Sequence, residues 1–166
     1  IERQNEHVIS LEHEYAVHHR KITFTNTAKT NAWPKGAYSA YLRFYLAPQS
    51  ILDTITVDGV VVTPDMITQE TYLGRKVVGV QINVPIQTSQ VLTLNYRTKI
   101  PQNAQLSYVF FDQKQSGLAG TPLRLIVGQV DKKSPIIISP QGEMTQDGVL
   151  FEVVQDSHLL FGLQYD

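Results

Sequence analysis

Apolar and polar residues alternate with a period of two along most of the chain, in short runs separated by turn residues. The clearest run is residues 38–46, where one phase is apolar and the other carries tyrosine and arginine. Because successive side chains of a β-strand point to opposite faces, this alternation predicts a strand with one buried face. Similar runs from Ile9 to Tyr165 predict an all-β, mostly antiparallel protein, a two-sheet β-sandwich of the immunoglobulin-like or a related type.

The remaining runs predict further strands, which we place at 51–57, 60–63, 76–86, 91–98, 105–111, 123–130, 135–139, 148–154 and 158–164. Between two of them, Asp58-Gly59 suits the positive φ angles of a type I′ turn, so a two-residue hairpin should pair Val57 with Val60. Residues 64–74 carry mixed polar signals and should hold one short helical turn at most. Pro85 cannot donate to a β-ladder and places the end of strand 76–86 at a sheet edge.

Near the N-terminus the apolar residues change phase, since Ile9, Leu11 and Val17 alternate out of step with Ile22 and Phe24. A single strand cannot bury both sets on one face, so we expect a turn or bulge near His18-His19-Arg20. Central positions on the apolar phases predict the core, which comprises Leu42, Phe44, Leu46, Val80, Ile82, Leu94, Tyr108, Leu125 and Phe151.

Length and composition narrow the class of protein. The 166 residues suit one domain spanning 1–166. A net charge of -1 and the absence of a Lys/Arg stripe argue against nucleic acid as a partner. The chain has no cysteine, which excludes disulfides and thiolate chemistry. No apolar run approaches the roughly 20 residues of a membrane span, and the chain starts at Ile1, so we expect a fragment of a longer protein that makes no membrane contact itself.

No spacing of reactive residues matches a known catalytic or cofactor motif, and we expect no catalytic residue, cofactor or metal. The histidines are His7, His13, His18, His19 and His158, and on strands they do not converge as zinc ligands must, so solvated strand positions are the expectation. Asp156-Ser157-His158 has the composition of a hydrolase triad, but neighbours on a strand face opposite ways, which favours a polar turn.

Among the side chains of this sequence, the aromatic ones are the best candidates for binding a ligand. Candidate ligand-binding residues are Trp33 and Tyr38, in the approach to strand 38–46, and Tyr41, Arg43 and Tyr45 on its polar phase. Such a surface can stack on a sugar while the guanidinium donates hydrogen bonds. The alternative is structural: cross-strand aromatic pairs on the solvent face, with Trp33 closing one end of the core.

Cysteine-free surface sandwiches can also be locked by Lys–Asn or Thr–Gln bonds beside a buried acid. The residues that would serve are Lys21, Asn26, Asn83, Asn95, Glu12 and Glu152. Strand lysines and asparagines usually face solvent, which favours the absence of such a bond.

Several segments resemble the C-terminal region of the bacterial "domain of unknown function 4012" family. The matching segments are Ile22-Thr-Phe-Thr-Asn-Thr27, Trp33-Pro-Lys-Gly-Ala-Tyr38, Tyr41-Leu-Arg-Phe-Tyr-Leu46 with Pro48-Gln49, and Leu106-Ser-Tyr108 leading into Gln113-Lys-Gln-Ser-Gly117. Ser116 stands where the family tends to have proline. The resemblance extends from Ile22 to about Val130 and implies a β-sandwich at the end of a membrane-anchored, extracytoplasmic protein. The family's preceding domain, distantly similar to LytR-CpsA-Psr phosphotransferases, is absent from this sequence.

Together these observations favour a non-enzymatic β-sandwich that serves as a structural or interaction module of a bacterial cell-envelope protein. Its expected partner is an envelope glycan or another surface protein. The alternative is a carbohydrate-binding module that uses the aromatic surface. An enzyme is the least favoured class, because the acidic residues are scattered over strands and turns.

Overall fold

The computed structural model describes residues 1–12, 14–32, 35–100, 107–114, 120–128 and 133–165. These ranges contain no α-helix, and a 3₁₀ turn at Pro64–Met66 is their single helical element. The strands are β1 (Glu2–Leu11), β2 (Tyr15–Thr25), β3 (Tyr38–Leu46), β4 (Ile51–Val57), β5 (Val60–Val61), β6 (Ile67–Tyr72), β7 (Arg75–Val84), β8 (Ser89–Lys99), β9 (Ser107–Asp112), β10 (Thr121–Val127), β11 (Pro135–Ser139), β12 (Glu143–Thr145), β13 (Gly148–Gln155) and β14 (Leu159–Tyr165). The predicted all-β class is confirmed.

The chain divides into two compact units. Unit 1 comprises Ile1–Gln4 and Lys21–Thr98, and unit 2 comprises Asn5–Arg20 and Lys99–Asp166. Strands β1 and β2 therefore contribute residues to both. The sequence predicted one domain spanning 1–166, and this stays a prediction. The buried apolar residues form two separate clusters. All the predicted core residues except Tyr108 are buried, and Tyr108 is half-buried against the second cluster.

Unit 1 is a two-sheet sandwich. One sheet has the order β3-β7-β6, and in the other β2 pairs with β8, β8 with β4, and β4 with β5. The alternating apolar phases of these strands meet in the core of the unit. Its buried residues are Ile22, Phe24, Leu42, Phe44, Leu46, Ile55, Val78, Val80, Ile82, Val84, Leu92, Leu94 and Tyr96.

The hairpin between β4 and β5 confirms the turn prediction. Asp58 has φ 51° and Gly59 has φ 81°, and Val57 pairs with Val60. The Asp58 carboxylate also accepts a hydrogen bond of 2.8 Å from the backbone N–H of Val91, which anchors the turn to β8. Local turn chemistry thus fixes the register of this hairpin.

Unit 2 is also built from two sheets. One has the order β12-β13-β10-β1-β2 and includes a parallel β1–β10 pair, and the other is the antiparallel sheet β11-β14-β9. Its buried apolar residues are Ile9, Leu11, Ala16, Leu123, Leu125, Val127, Val149, Phe151, Phe161, Leu163 and Tyr165.

The turn expected near His18 is not there. Strand β2 runs unbroken through that position, and the chain reverses earlier, where the Glu12 N–H donates to the Tyr15 carbonyl at 2.8 Å. His18 is 3% exposed and lies in the same phase as the buried Ala16 and Ile22. The phase change is real but lies at this earlier turn, since Ile9 and Leu11 are buried in β1 and the opposite phase is buried in β2. Val17 is half-buried in the phase of Ile9 and Leu11, which led the sequence reading to place the change later.

Strand β6 was also missed. The predicted helical turn is present at Pro64–Met66, but the rest of segment 64–74 is β6 followed by a hairpin in which Leu73 has φ 48° and Gly74 φ 72°. As a result β7 lies between β3 and β6, in the centre of its sheet, and ends at Val84. Pro85 therefore ends the strand and does not mark a sheet edge.

Candidate functional site

The outward face of sheet β3-β7-β6 brings together most of the predicted binding residues. We call the tyrosine–arginine face the surface formed by Tyr41, Arg43 and Tyr45 of β3 with Glu70 and Tyr72 of β6. The alternation of β3 directs its tyrosines away from the core, and they are 54% and 46% exposed. Tyr72 is 51% exposed. Three half-exposed phenol rings thus share one rigid sheet surface.

Tyr41 lies across the sheet because the central strand has a glycine beneath it. Its hydroxyl reaches Thr68 on β6, two strands away, and forms a hydrogen bond with the Thr68 hydroxyl. A methyl group at Gly79 of β7 would collide with both hydroxyls. The missing side chain therefore lets the ring cover the backbone of β7, with its other side exposed to solvent.

Arg43 lies between two rings. Its guanidinium carbon is 5.6 Å from the centre of the Tyr45 ring and 5.9 Å from that of Tyr72. The guanidinium also forms an ion pair with Glu70, which is directly across the sheet from the Tyr45 position. Cation–π contacts at partly exposed sites contribute about 0.5–1 kcal/mol each. They hold the guanidinium in place while Glu70 balances its charge.

A buried valine lies at the centre of the face. Val77 lies between Tyr45 and Glu70 in the neighbouring strands and is 1% exposed although it points away from the first core. The side chains around it therefore cover it. Such a surface loses little conformational entropy on binding, because its aromatic and guanidinium groups are already held. This surface can offer flat aromatic rings and hydrogen-bond donors to a partner.

The two other predicted binding residues, Trp33 and Tyr38, are not part of the tyrosine–arginine face as the structure describes it. Trp33 lies outside the described residues. Tyr38 is half-buried and packs on the first core, with its ring stacked on that of Phe24 at a centroid distance of 6.4 Å. Tyr38 therefore has a structural role and is not part of the exposed face. Glu70 and Tyr72 were missed because β6 was not predicted; their spacing with Thr68, before the turn at Leu73-Gly74, is the signal that could have revealed them. Gly79 lies in the predicted strand 76–86, but no local signal marks its role beneath the Tyr41 ring.

Unit 2 contains a buried histidine pair, contrary to the expectation of solvated histidines. His7 and His18 are 1% and 3% exposed, and His7 Nε2 is 3.1 Å from His18 Nδ1. The edge of the His7 ring meets Phe110 at a centroid distance of 5.0 Å. Burial, with a further contribution from the nearby Arg20 guanidinium, lowers the pKa of His18 from 6.5 to about 3, and burial lowers the pKa of His7 well below 6.5.

Beside this pair, Arg20 donates to the Asp112 carboxylate at 3.2 Å. Gln155 donates to the same carboxylate at 3.1 Å, and Asp112 is 4% exposed. A buried carboxylate satisfied by two donors contributes to structure. Within the described ranges no group of three or more His, Asp or Glu side chains converges as metal ligands, and His13 lies outside them.

His158 and Asn26, two further candidates from the sequence, make hydrogen bonds to the backbone. Nδ1 of His158 accepts a hydrogen bond from the backbone N–H of Lys114 at 3.1 Å, so this nitrogen does not face Ser157. Asn26 is 3% exposed and donates to the carbonyls of Gly36 at 2.8 Å and Val84 at 3.0 Å. Its amide thus ties the loop before β3 to the end of β7.

Among the described residues, no helix is long and apolar enough to cross a membrane.

No protein-family model matches the chain, and no curated protein does. Solved structures do match. A Legionella pneumophila protein named for nutrient binding superimposes with a TM-score of 0.61 at 10% identity, over 98% of this chain and 66% of that one. Leukotriene A4 hydrolase from Saccharomyces cerevisiae gives a TM-score of 0.56 at 13% identity, over 98% of this chain and 28% of that one. The yeast LTA4 hydrolase complex with bestatin gives 0.52 at 14% identity, with the same coverage. At these identities the likeness concerns the fold alone. The chain spans less than two thirds of the length of these matches.

Proposed function

We propose that this chain is a non-catalytic interaction module of a larger, extracytoplasmic protein of the bacterial envelope, and that it contacts its partner through the tyrosine–arginine face. The observation that carries the proposal is the exposure of three tyrosines around a stacked, charge-balanced arginine on one rigid sheet. Tyrosine and arginine are the residue types enriched where proteins bind, because they offer large contact area together with hydrogen bonds.

The larger context of the proposal has separate support. The same fold occurs in longer chains, of which this sequence covers 66% and 28%. A module that serves a larger protein by binding a partner needs no catalytic residues of its own. The resemblance of segments 22–49 and 106–117 to the family of domain of unknown function 4012 is the basis for an envelope location and a membrane-anchored parent protein.

A carbohydrate is the second candidate partner, and the orientation of Tyr41 is the observation that favours it. A ring that lies across Gly79 with one side exposed offers the flat surface on which a sugar ring stacks. Tyr41 and Tyr45 are four residues apart on the same face of β3, so their Cα atoms are about 13 Å apart at roughly 3.3 Å per residue. The Tyr41 ring crosses β7 and the Tyr45 ring lies beside Arg43, so a polysaccharide laid over this sheet can contact both rings.

A glycan array that includes bacterial envelope polysaccharides tests this candidate, with calorimetry on any glycan bound. Tyr41→Ala and Tyr45→Ala should each weaken binding by about 2- to 13-fold, since an aromatic contact contributes roughly 0.5–1.5 kcal/mol. Val60→Ala is the control, because Val60 is 72% exposed in the same unit but lies on the other sheet.

Three outcomes distinguish the candidates. Binding that depends on Tyr41 and Tyr45 but not on Val60 supports a glycan partner. Binding unaffected by both tyrosine substitutions removes the tyrosine–arginine face from the proposal. Hydrolysis or transfer of any envelope polymer by the purified chain, lost on substitution of a residue within it, overturns the non-catalytic assignment.

A further inference from the structure

Strand β6 forms one edge of the sheet β3-β7-β6, and this edge is exposed to solvent. In the described residues β6 pairs with β7 alone, in continuous register from Ile67 to Tyr72. Every residue from Thr68 to Tyr72 is exposed, so both faces of the strand are open to solvent. An edge strand of this kind carries a row of backbone N–H and C=O groups with which another chain can pair.

The turn after β6 determines which of these backbone groups point outward. At Leu73-Gly74 both φ angles are positive, as in a type I′ turn, which hydrogen-bonds its closing pair Tyr72–Arg75. Hydrogen-bonded and non-hydrogen-bonded pairs alternate along an antiparallel ladder, so the N–H and C=O groups of Gln69 and Thr71 point away from β7. The Ile67 N–H, in the same phase, bonds to the preceding 3₁₀ turn and not to β7. We call the four backbone groups of Gln69 and Thr71 the open edge.

Strand β6 lacks the features that usually keep an edge strand from pairing with other chains. It contains no lysine or proline, and it has no bulge against β7. Other edge strands of the described residues differ, since β5 has 2 residues, β12 has 3, and β11 has a register shift between Pro135 and Ile137. In β3 and β9 one face packs on a core. Among the described strands, β6 is therefore the regular edge with space on both of its faces.

We propose that β6 binds an extended segment of a partner protein, which adds to the sheet as a strand beside the open edge. The backbone of another strand is the ligand that matches this edge, because it supplies acceptors and donors at the same spacing. The inference rests on the proposed function, since it takes the chain to be an interaction module. It adds the kind of partner and the way in which that partner is held.

The side chains of β6 indicate the chemistry of the segment. Glu70 and Tyr72 belong to the tyrosine–arginine face, so a strand added to β6 lies directly beside that face. Arg43 contacts Oε1 of Glu70, whose side chain is 55% exposed, so the carboxylate can accept a further donor. A lysine or arginine next to Glu70 gains an ion pair with it and a cation–π contact with Tyr72. We therefore expect a segment of high β-propensity with a basic residue at its centre.

A displayed library of random peptides, each about twelve residues and so roughly two strands long, tests the proposal. The purified chain selects peptides from it, and calorimetry measures the affinity of each. Gln69→Pro removes an outward N–H but no hydrogen bond to β7, so it should fold and weaken binding at least about 10-fold. Gln69→Ala is the matched control, because it keeps the N–H, and it should change the affinity by less than about 2-fold. Circular dichroism checks that both variants fold.

Amide hydrogen exchange provides a second readout, which needs no substitution. In the free chain the N–H groups of Gln69 and Thr71 should exchange rapidly, because they point to solvent. The Glu70 N–H, which is in a hydrogen-bonded pair with β7, should be protected. A bound peptide strand should slow exchange at Gln69 and Thr71 and leave exchange at Glu70 unchanged.

Strand addition is wrong if the library yields no binder, if Gln69→Pro binds the selected peptides as tightly as the wild-type chain, or if exchange at the open edge is unchanged in the complex. Self-association of the chain without peptide, abolished by Gln69→Pro, makes the occupant a second copy and also overturns the proposal. Peptides that lose affinity with Tyr41→Ala but not with Gln69→Pro support the tyrosine–arginine face and contradict strand addition. The reverse result supports strand addition without that face, so the two proposals can fail separately.

Discussion

Acid should destabilise unit 2 through its buried histidine pair. In the folded chain burial keeps His7 and His18 neutral, with the pKa of His18 lowered to about 3 and that of His7 lowered well below 6.5. In the unfolded chain both side chains titrate near 6.5. Between these values the unfolded state binds more protons than the folded state, so the free energy of unfolding falls as the pH drops below 6.5.

The magnitude follows from the same pKa values. Each pH unit below about 6.5 costs about 1.4 kcal/mol per histidine that stays neutral in the fold. Lowering the pH from about 7.5 to about 5.0 should therefore remove about 2 kcal/mol through His18, whose pKa in the fold is about 3, and His7 adds a loss in the same direction. This is a large fraction of the roughly 5–15 kcal/mol that stabilises a typical domain.

Urea denaturation at pH 7.5, 6.5, 5.5 and 5.0, roughly the window in which the histidines dominate, measures this loss. The double variant H7L/H18L, with apolar side chains at both positions, should show a much flatter pH dependence. Nuclear magnetic resonance provides a second readout, since the imidazole C2 protons of His7 and His18 should not shift between pH 7.5 and 5.0 in the folded chain. A wild-type free energy of unfolding that does not change over this range, or the same slope in the double variant, would refute the reasoning.

Three further substitutions test the packing of unit 1, each by urea denaturation. Gly79→Ala should cost about 1–3 kcal/mol, because the new methyl group collides with Tyr41 and Thr68, and adding Tyr41→Ala should recover part of this loss; additive effects would mean that Tyr41 does not lie over the glycine. Phe44→Ala should cost about 3–5 kcal/mol, since the side chain is 9% exposed in the first core, and an unchanged melting temperature would contradict this. Asn26→Ala should cost at least about 1–3 kcal/mol, because it removes the donor from two backbone carbonyls, whereas a neutral effect would show that water replaces the amide.

Local features of the fold were readable from the sequence. The alternation in residues 38–46 identified β3 and the outward direction of Tyr41, Arg43 and Tyr45, because a period of two is a property of consecutive residues. Asp58-Gly59 identified its hairpin for the same reason, since positive φ angles depend on the residues at the turn themselves. The all-β class followed from the repetition of such signals.

The composition of the candidate site was only half readable. The site residues of β3 were predicted. The residues that they contact, Glu70 and Tyr72, lie on β6, which was not predicted because most of its residues are polar. Arg43 and Glu70 are 27 residues apart in sequence, and they meet because β3 and β6 both pair with β7. The importance of Gly79 depends on the ring above it. No local pattern records which side chain a distant strand will place over a glycine.

By itself the sequence determined the class of the protein, the phase of its clear strands and its hairpin at Asp58-Gly59, since these depend on the covalent order of neighbouring residues. The tertiary structure decided that the apolar residues form two cores and that His7 and His18 are buried together. These features depend on long-range strand pairing, because strands distant in the chain set each residue's environment. A polar side chain such as that of His18 can be buried once those strands supply its hydrogen-bond partner and its packing.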